Sequence, residues 1–124
     1  MTDRELLELA AKAAGLNVKG EWADEDDKFT HLNIGKKFTN ERMKWNPLTD
    51  DGDALRLAVK LRIDFTWQPA MESVIAYPTM HDTLEITEEY MEYSDNGIPV
   101  DTYRYSALRR AIVRAAAEIG KAMP

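Results

Sequence analysis

Apolar residues recur at helical spacing in three segments of the chain, and they alternate with polar residues in most of the stretches between. The first helical segment begins after Thr2. The Thr2 hydroxyl can accept from the Glu5 amide, and the Glu5 side chain can accept from the Thr2 amide. Gly15 suits the left-handed position that often follows the last turn of a helix. The pattern therefore predicts a first helix over Asp3–Ala14.

A second helix is predicted over Asp51–Leu61, because apolar residues again recur every three to four positions. Thr49 or Asp50 would cap its start, where the helix dipole also favours acidic side chains. Leu55, Ala58, Val59 and Arg62 share one predicted stripe of this helix, and Leu57 and Leu61 lie beside it.

The third helix is predicted over Tyr103–Met123, capped by Asp101 or Thr102. Its apolar face is the most continuous in the chain and consists of Tyr105, Leu108, Ile112, Ala115, Ala116, Ile119 and Met123.

Alternation with a period of two residues predicts strands between these helices. It is clearest just after the second helix, where Ile63, Phe65 and Trp67 point to one side of the chain. The predicted strands are Phe29–Ile34, Ile63–Gln68, Ser73–Tyr77 and Thr83–Tyr93, with weaker extended patterns over Leu16–Trp22 and Phe38–Trp45.

The strands after the second helix are joined by short connections, which is typical of antiparallel pairing. The sequence therefore predicts one α+β domain over residues 1–124, with an antiparallel sheet of about four strands packed by three helices. We expect helices one and three to pack together on one sheet face. If helix two covers the other sheet face, the fold is a three-layer sandwich; if it does not, the fold has two layers.

Composition narrows the class of protein further. The 124 residues carry a formal net charge of −6, 44% are hydrophobic and none is cysteine. The charge disfavours direct binding to nucleic acid or to an anionic membrane, and the missing cysteines exclude disulfides and thiolate metal sites. The acidic, helical start differs from a signal peptide, and no apolar run is long enough for a membrane span, so we expect a cytoplasmic protein.

The third helix is basic although the rest of the chain is acidic. Arg104, Arg110 and Arg114 are therefore candidate contacts for an acidic protein partner or a small anionic ligand, although a solvated helix face explains them equally. The alanines of this helix would also allow a second copy to approach closely, which makes a homodimer through the C-terminal helix a hypothesis.

No catalytic residues, metal site or cofactor is predicted. His81, Asp82 and Glu85 include metal-ligand types, but on a strand His81 and Glu85 would lie about 13 Å apart, at roughly 3.3 Å per residue. The acids Glu85, Glu88, Glu89 and Glu92 lack any partner pattern that sequence reveals. Edge-strand charges explain them equally well.

Trp45 and Asn46 are candidate ligand contacts, because they precede the start of the second helix. Exposed amides at a helix N-terminus attract anions, and an aromatic ring beside them could receive a planar group. The alternative is that Trp45 only fixes the angle at which the chain enters the helix.

The segment Trp45-Asn46-Pro47-Leu48-Thr49-Asp50 has the pattern W-x-P-x-T-D, followed by a helix, strands and an alanine-rich closing helix. In this order of elements the chain resembles the phage α-β-α sandwich domain family. That resemblance implies a prophage accessory protein without established chemistry, and it supplies no catalytic residues.

We therefore predict a non-enzymatic binding protein in the cytoplasm of a bacterial host. Two alternatives remain: a sponge for a nucleotide-type small molecule, and an acidic inhibitor of a host nucleic-acid-binding protein. The acidic run Asp24–Asp27, predicted to be a solvated loop, is the basis of the second alternative.

Overall fold

The computed structural model describes all residues, 1–124, as three α-helices, one short 3₁₀-helix and six β-strands. The mixed α+β class is therefore confirmed. In chain order the elements are α1 (Asp3–Ala13), β1 (Val18–Ala23), β2 (Phe29–Ile34), β3 (Met43–Trp45), α2 (Asp51–Leu61), β4 (Ile63–Gln68), a 3₁₀ turn (Pro69–Met71), β5 (Ser73–Pro78), β6 (Ile86–Glu89) and α3 (Asp101–Ala122).

The strands form two separate antiparallel sheets of three strands each, with the orders β1-β2-β3 and β4-β5-β6. This differs from the single sheet of about four strands that the sequence predicts. In the first sheet Leu32 lies opposite Trp45, and in the second Phe65 lies opposite Ala76. In chain order, α2 lies between the last strand of the first sheet and the first strand of the second.

Helix α3 is the centre of the core, because it contacts α1, α2 and strands β5 and β6. The predicted packing of the first and third helices against each other is confirmed. Since α2 packs directly on α3 and on β4, it does not cover the sheet face opposite α3. The three-layer arrangement with α2 on that face is therefore not observed.

The small side chains of α3 allow this enclosure. Ala111, Ala115, Ala116 and Ala117 are at most 1% exposed, and Val113 is fully buried. At Gly120 the backbone of α1 comes so close that an added Cβ would lie 2.0 Å from the Leu9 carbonyl oxygen. Helix α3 is therefore surrounded on several sides rather than on one stripe.

The core-facing side of α2 differs from the predicted stripe. Ala54, Leu57 and Ala58 are buried, whereas Leu55 and Val59 are 64% and 71% exposed. Both stripes fit a period of 3.6 residues, so contacts elsewhere in the fold determine which one faces inward.

Two element ends also differ from the predictions. Helix α3 begins at Asp101, so the N-cap position falls on Val100, whose apolar side chain cannot cap the helix, and the Asp101 carboxylate accepts from Arg104. Strand β6 ends at Glu89, since only one further backbone bond, from Tyr90 N to Glu72 O (2.9 Å), continues the pairing.

None of the helices is both long and apolar enough to cross a bilayer.

Candidate functional site

The five sequence-predicted site residues fall into two groups on different parts of the fold. Trp45 and Asn46 lie where β3 leads into α2, whereas Arg104, Arg110 and Arg114 lie along α3. The structure therefore does not bring the tryptophan and the arginines into one site.

Asn46 organises the junction between β3 and α2. Its side-chain amide donates to Thr30 O (2.6 Å), and its side-chain oxygen accepts from Leu48 N (2.9 Å). The backbone amide of Asn46 donates to the Asp53 carboxylate (3.0 Å). Asn46 is 6% exposed, and each of its side-chain polar groups is used within the chain, so its role is to hold the junction.

The carboxylates that follow stabilise the start of α2. Asp50 is the N-cap, and its side chain accepts from Asp53 N (2.8 Å). The buried Asp53 in turn accepts from the Arg56 guanidinium (2.7 Å). Capping by Asp50 confirms one of the two predicted alternatives. The first-turn amides of α2 are thus partly occupied by the protein's own acids.

An apolar cleft opens beside this junction, between the first sheet, the end of α1 and one side of α2. We call it the α2 cleft; its volume is about 270 Å³. The apolar residues that line it are Ala14, Leu16, Ile34, Met43, Trp45 and Leu57, and the charged ones are Lys44, Asp53, Arg56 and Lys60. Trp45 is 5% exposed, so it contributes a wall of the cleft rather than an open ring.

The charges at the α2 cleft run against the charge of the whole chain. Three cations and one carboxylate line it, in a protein with a net charge of −6. Arg56 is paired with Asp53 and, at 3.9 Å, with Asp50. Lys60 and Lys44 form no ion pair. The cleft therefore has an apolar floor with unneutralised positive charge at its edge.

A polar hollow of about 360 Å³ adjoins the cleft and shares Lys44, Asp53 and Arg56 with it. Asn46, Thr49 and Asp50 complete its lining. Together the two spaces offer an apolar surface and, next to it, a polar one. This combination was not visible in the sequence, because its residues come from α1, β2, β3 and α2.

Burial shifts the pKa of one titratable group, His31. His31 lies on β2, with its Nδ1 2.9 Å from the Thr30 hydroxyl. Burial lowers the pKa of His31 below its usual value, and the charge of Lys44 lowers it further. The neutral imidazole is therefore favoured in the folded protein.

The three candidate arginines of α3 all form ion pairs within the chain. Arg104 pairs with Glu92 and Asp101, and Arg114 donates to Glu88 (2.7 Å). Arg110 is shared between Asp3 (3.2 Å) and Glu88 (3.6 Å).

Arg109, which the sequence did not single out, donates to Leu48 O (2.8 Å) and pairs with Asp51 (2.6 Å). The basic helix thus neutralises acids of its own fold.

The alanine stripe of α3 is likewise occupied. Ala111, Ala115 and Ala116 are fully buried against other elements of the same chain. A homodimer that used this alanine stripe would need the core to open.

The remaining candidate clusters do not bring metal-ligand types together. His81, Asp82 and Glu85 are all exposed, and no group of three potential ligands lies close enough to hold a metal ion. Glu88 is held by two arginines. The acids Asp24–Asp27 form the exposed turn between β1 and β2, where Asp24 accepts from the amides of Asp26 and Lys28 (both 2.9 Å).

Comparison with family models, with curated proteins and with solved structures found no match to this chain. No relative therefore supplies an activity or a set of functional residues, and the geometry of the α2 cleft is the basis for a proposal.

Proposed function

We propose that this chain is a non-enzymatic binding protein whose α2 cleft binds a small anion that has an apolar or planar body. The observation that supports this is the apolar floor of the cleft beside Lys60 and Lys44, which have no carboxylate partner. Ligand sites are commonly mainly apolar hollows with a few placed polar groups.

The apolar cleft and the polar hollow beside it would orient such a ligand. Its apolar or planar part would lie against Leu16, Met43 and Trp45, and its anionic part would lie toward Lys60 and the polar hollow. A nucleoside monophosphate or an aromatic carboxylate has this combination of parts. The sequence-derived alternative of a nucleotide-type sponge is thus a special case of the same proposal.

In this proposal the chain acts as an accessory protein of a phage or prophage, in the cytoplasm of a bacterial host. The support is the resemblance of the W-x-P-x-T-D segment and of the order of elements to the phage α-β-α sandwich domain. Purification of the protein from phage-infected bacteria, followed by mass spectrometry of co-purified small molecules, tests this role.

Binding at the cleft is testable through the fluorescence of Trp45. The chain has three tryptophans, so Trp22→Phe with Trp67→Phe leaves Trp45 as the single indole reporter. We expect AMP or phenylacetate, neither of which fluoresces in the tryptophan range, to change its emission, whereas adenosine or 2-phenylethanol, which lack the negative charge, bind more weakly. Lys60→Glu should weaken anion binding about tenfold or more, because it reverses a charge at the edge of the cleft.

The matched control is Lys28→Glu, which makes the same charge change on the exposed β1–β2 turn, away from the cleft. It should bind as the parent does. Equal losses in the two variants would indicate a general effect of net charge. If none of the anions changes either the Trp45 emission or the thermal midpoint, the proposal is wrong.

A further inference from the structure

Strand β4 has a free edge that differs from the other three sheet edges. Of those, β1 has two irregularities of register, β3 has only three residues, and β6 has four and ends in Glu88 and Glu89. Such features normally prevent edge-to-edge pairing. Strand β4 has six residues in unbroken register with β5, and Asp64 is its one charged residue.

The register shows which backbone groups of β4 face outward. Thr79 N donates to Arg62 O (3.0 Å), so Arg62 and every second residue after it face β5. The amides and carbonyls of Ile63, Phe65 and Trp67 therefore point away from β5. In agreement with this, Phe65 N donates to the neighbouring Asp64 carboxylate (2.8 Å) rather than to a strand.

We propose that a second copy of this chain binds at this edge, with the two β4 strands antiparallel and Phe65 opposite Phe65. This register places Ile63 opposite Trp67. The three residues whose backbone groups point away from β5 therefore all pair with a residue of the second copy. Asp64 then lies opposite Thr66, and no two like charges are directly opposed. A symmetric interface must be self-complementary in this way.

A hollow beside β4 fits the same arrangement. Its volume is about 300 Å³, and the exposed Leu55 and Val59 of α2 line it together with Ile63 and Phe65. Because Trp67 of the second copy lies opposite Ile63, its indole is placed against this hollow. Trp67 is 36% exposed in one copy, and pairing would bury it. The exposed apolar side of α2 thus has a specific occupant.

Single-cysteine cross-linking tests the register, because the chain contains no cysteine of its own. In the proposed register two Phe65→Cys residues have Cα atoms about 5.5 Å apart, which lies within the disulfide range of about 4.4–6.8 Å. We expect Phe65→Cys to form a covalent dimer faster than Thr66→Cys. Lys19→Cys, on the edge of the first sheet, is the background control.

Sedimentation velocity from low to high micromolar concentration measures the dimer without cross-linking. Trp67→Lys should raise the dimer Kd about tenfold or more, because a charged ammonium would replace the indole against the apolar side chains of Leu55 and Val59. Thr66→Lys adds the same charge on the other face, opposite Asp64 of the second copy, and should leave the dimer intact or tighter. Raising NaCl from about 0.05 to about 0.5 M should strengthen the wild-type dimer, since both copies are acidic.

Circular dichroism of each variant establishes that the monomer is folded. A wild-type protein that stays monomeric at high micromolar concentration, with Phe65→Cys linking no faster than Lys19→Cys, overturns the proposal. Fastest linking at Thr66→Cys, or equal loss of the dimer in Trp67→Lys and Thr66→Lys, overturns the proposed register.

Discussion

Helix α3 and the first sheet are held in the molecule by different means. Around α3 the contacts are apolar and close, with four alanines at most 1% exposed and the α1 backbone directly against Gly120. In the first sheet only Leu32 and Trp45 are buried, and every residue of β1 is exposed or half-buried. That sheet depends more on the hydrogen bonds of Asn46.

The comparison shows that sensitivity to mutation differs in kind between the two regions. Near α3 an added methyl group has nowhere to go, because the neighbours are backbone atoms. At the junction of the first sheet, a lost polar atom matters more than a lost volume, because buried partners would be left without hydrogen bonds. The following predictions are ordered by expected size.

Gly120→Ala should lower the free energy of unfolding by about 2–3 kcal/mol, because its Cβ would overlap the Leu9 carbonyl. Gly52→Ala is the matched control in α2. There the Cβ would meet the side chains of Arg56 and of the capping Asp50 at 3.2 Å rather than backbone atoms, and the better helix propensity of alanine, up to about 1 kcal/mol, offsets the shift that these side chains need, so the variant should lose much less stability than Gly120→Ala. Urea denaturation measures both, and an equal loss in the two variants would contradict the comparison.

Asn46→Ala should cost about 2 kcal/mol, because it leaves Thr30 O and Leu48 N without their partners. Asn33→Ala, on β2 and without a side-chain hydrogen bond, should change stability by less than about 0.5 kcal/mol. Hydrogen exchange should also show faster opening of the β2–β3 pairing in Asn46→Ala, while α3 amides stay protected. Equal exchange in both variants would show that the junction does not hold the first sheet.

The smallest effect is expected from His31. Its pKa is lowered in the folded state by burial and by Lys44, so the unfolded state binds more protons below the usual pKa. Stability must therefore rise with pH in that window, and acidification below pH 6.5 should cost the wild type stability that His31→Gln keeps. The readout is the difference in urea midpoint between the two proteins at about pH 8 and about pH 5. A difference that does not change with pH would contradict this assignment.

Local patterns predicted most of the elements. The capping interaction of Thr2 with the Glu5 amide, the strand over Ile63–Gln68 and the Asp50 cap of α2 all occur as expected. The buried side of α2 consists of Ala54, Leu57 and Ala58 rather than of Leu55 and Val59, because both stripes have the same period and tertiary contacts decide between them. The intramolecular ion pairs of Arg110 and Arg114 could not be predicted, because their partners, Asp3 and Glu88, are distant in sequence.

Of the candidate site, the sequence indicated Trp45 and Asn46 but not the space around them. Trp45 does lie at the α2 cleft, yet as a buried wall, and Asn46 holds the junction. Lys60 gave no signal, since a lysine on an amphipathic helix is ordinary surface chemistry. It becomes informative only because α2 places it beside Leu16 and Met43, which belong to other elements.

The amino-acid sequence by itself determined the helices, most of the strands and the α+β class, because caps, turns and periodicity act between residues a few positions apart. The tertiary structure decided the division into two sheets, the internal pairing of the α3 arginines and the free edge of β4. These depend on which distant segments meet. The physical reason is that a residue's period and charge specify what it can contact, whereas packing of the whole chain determines which contact it makes.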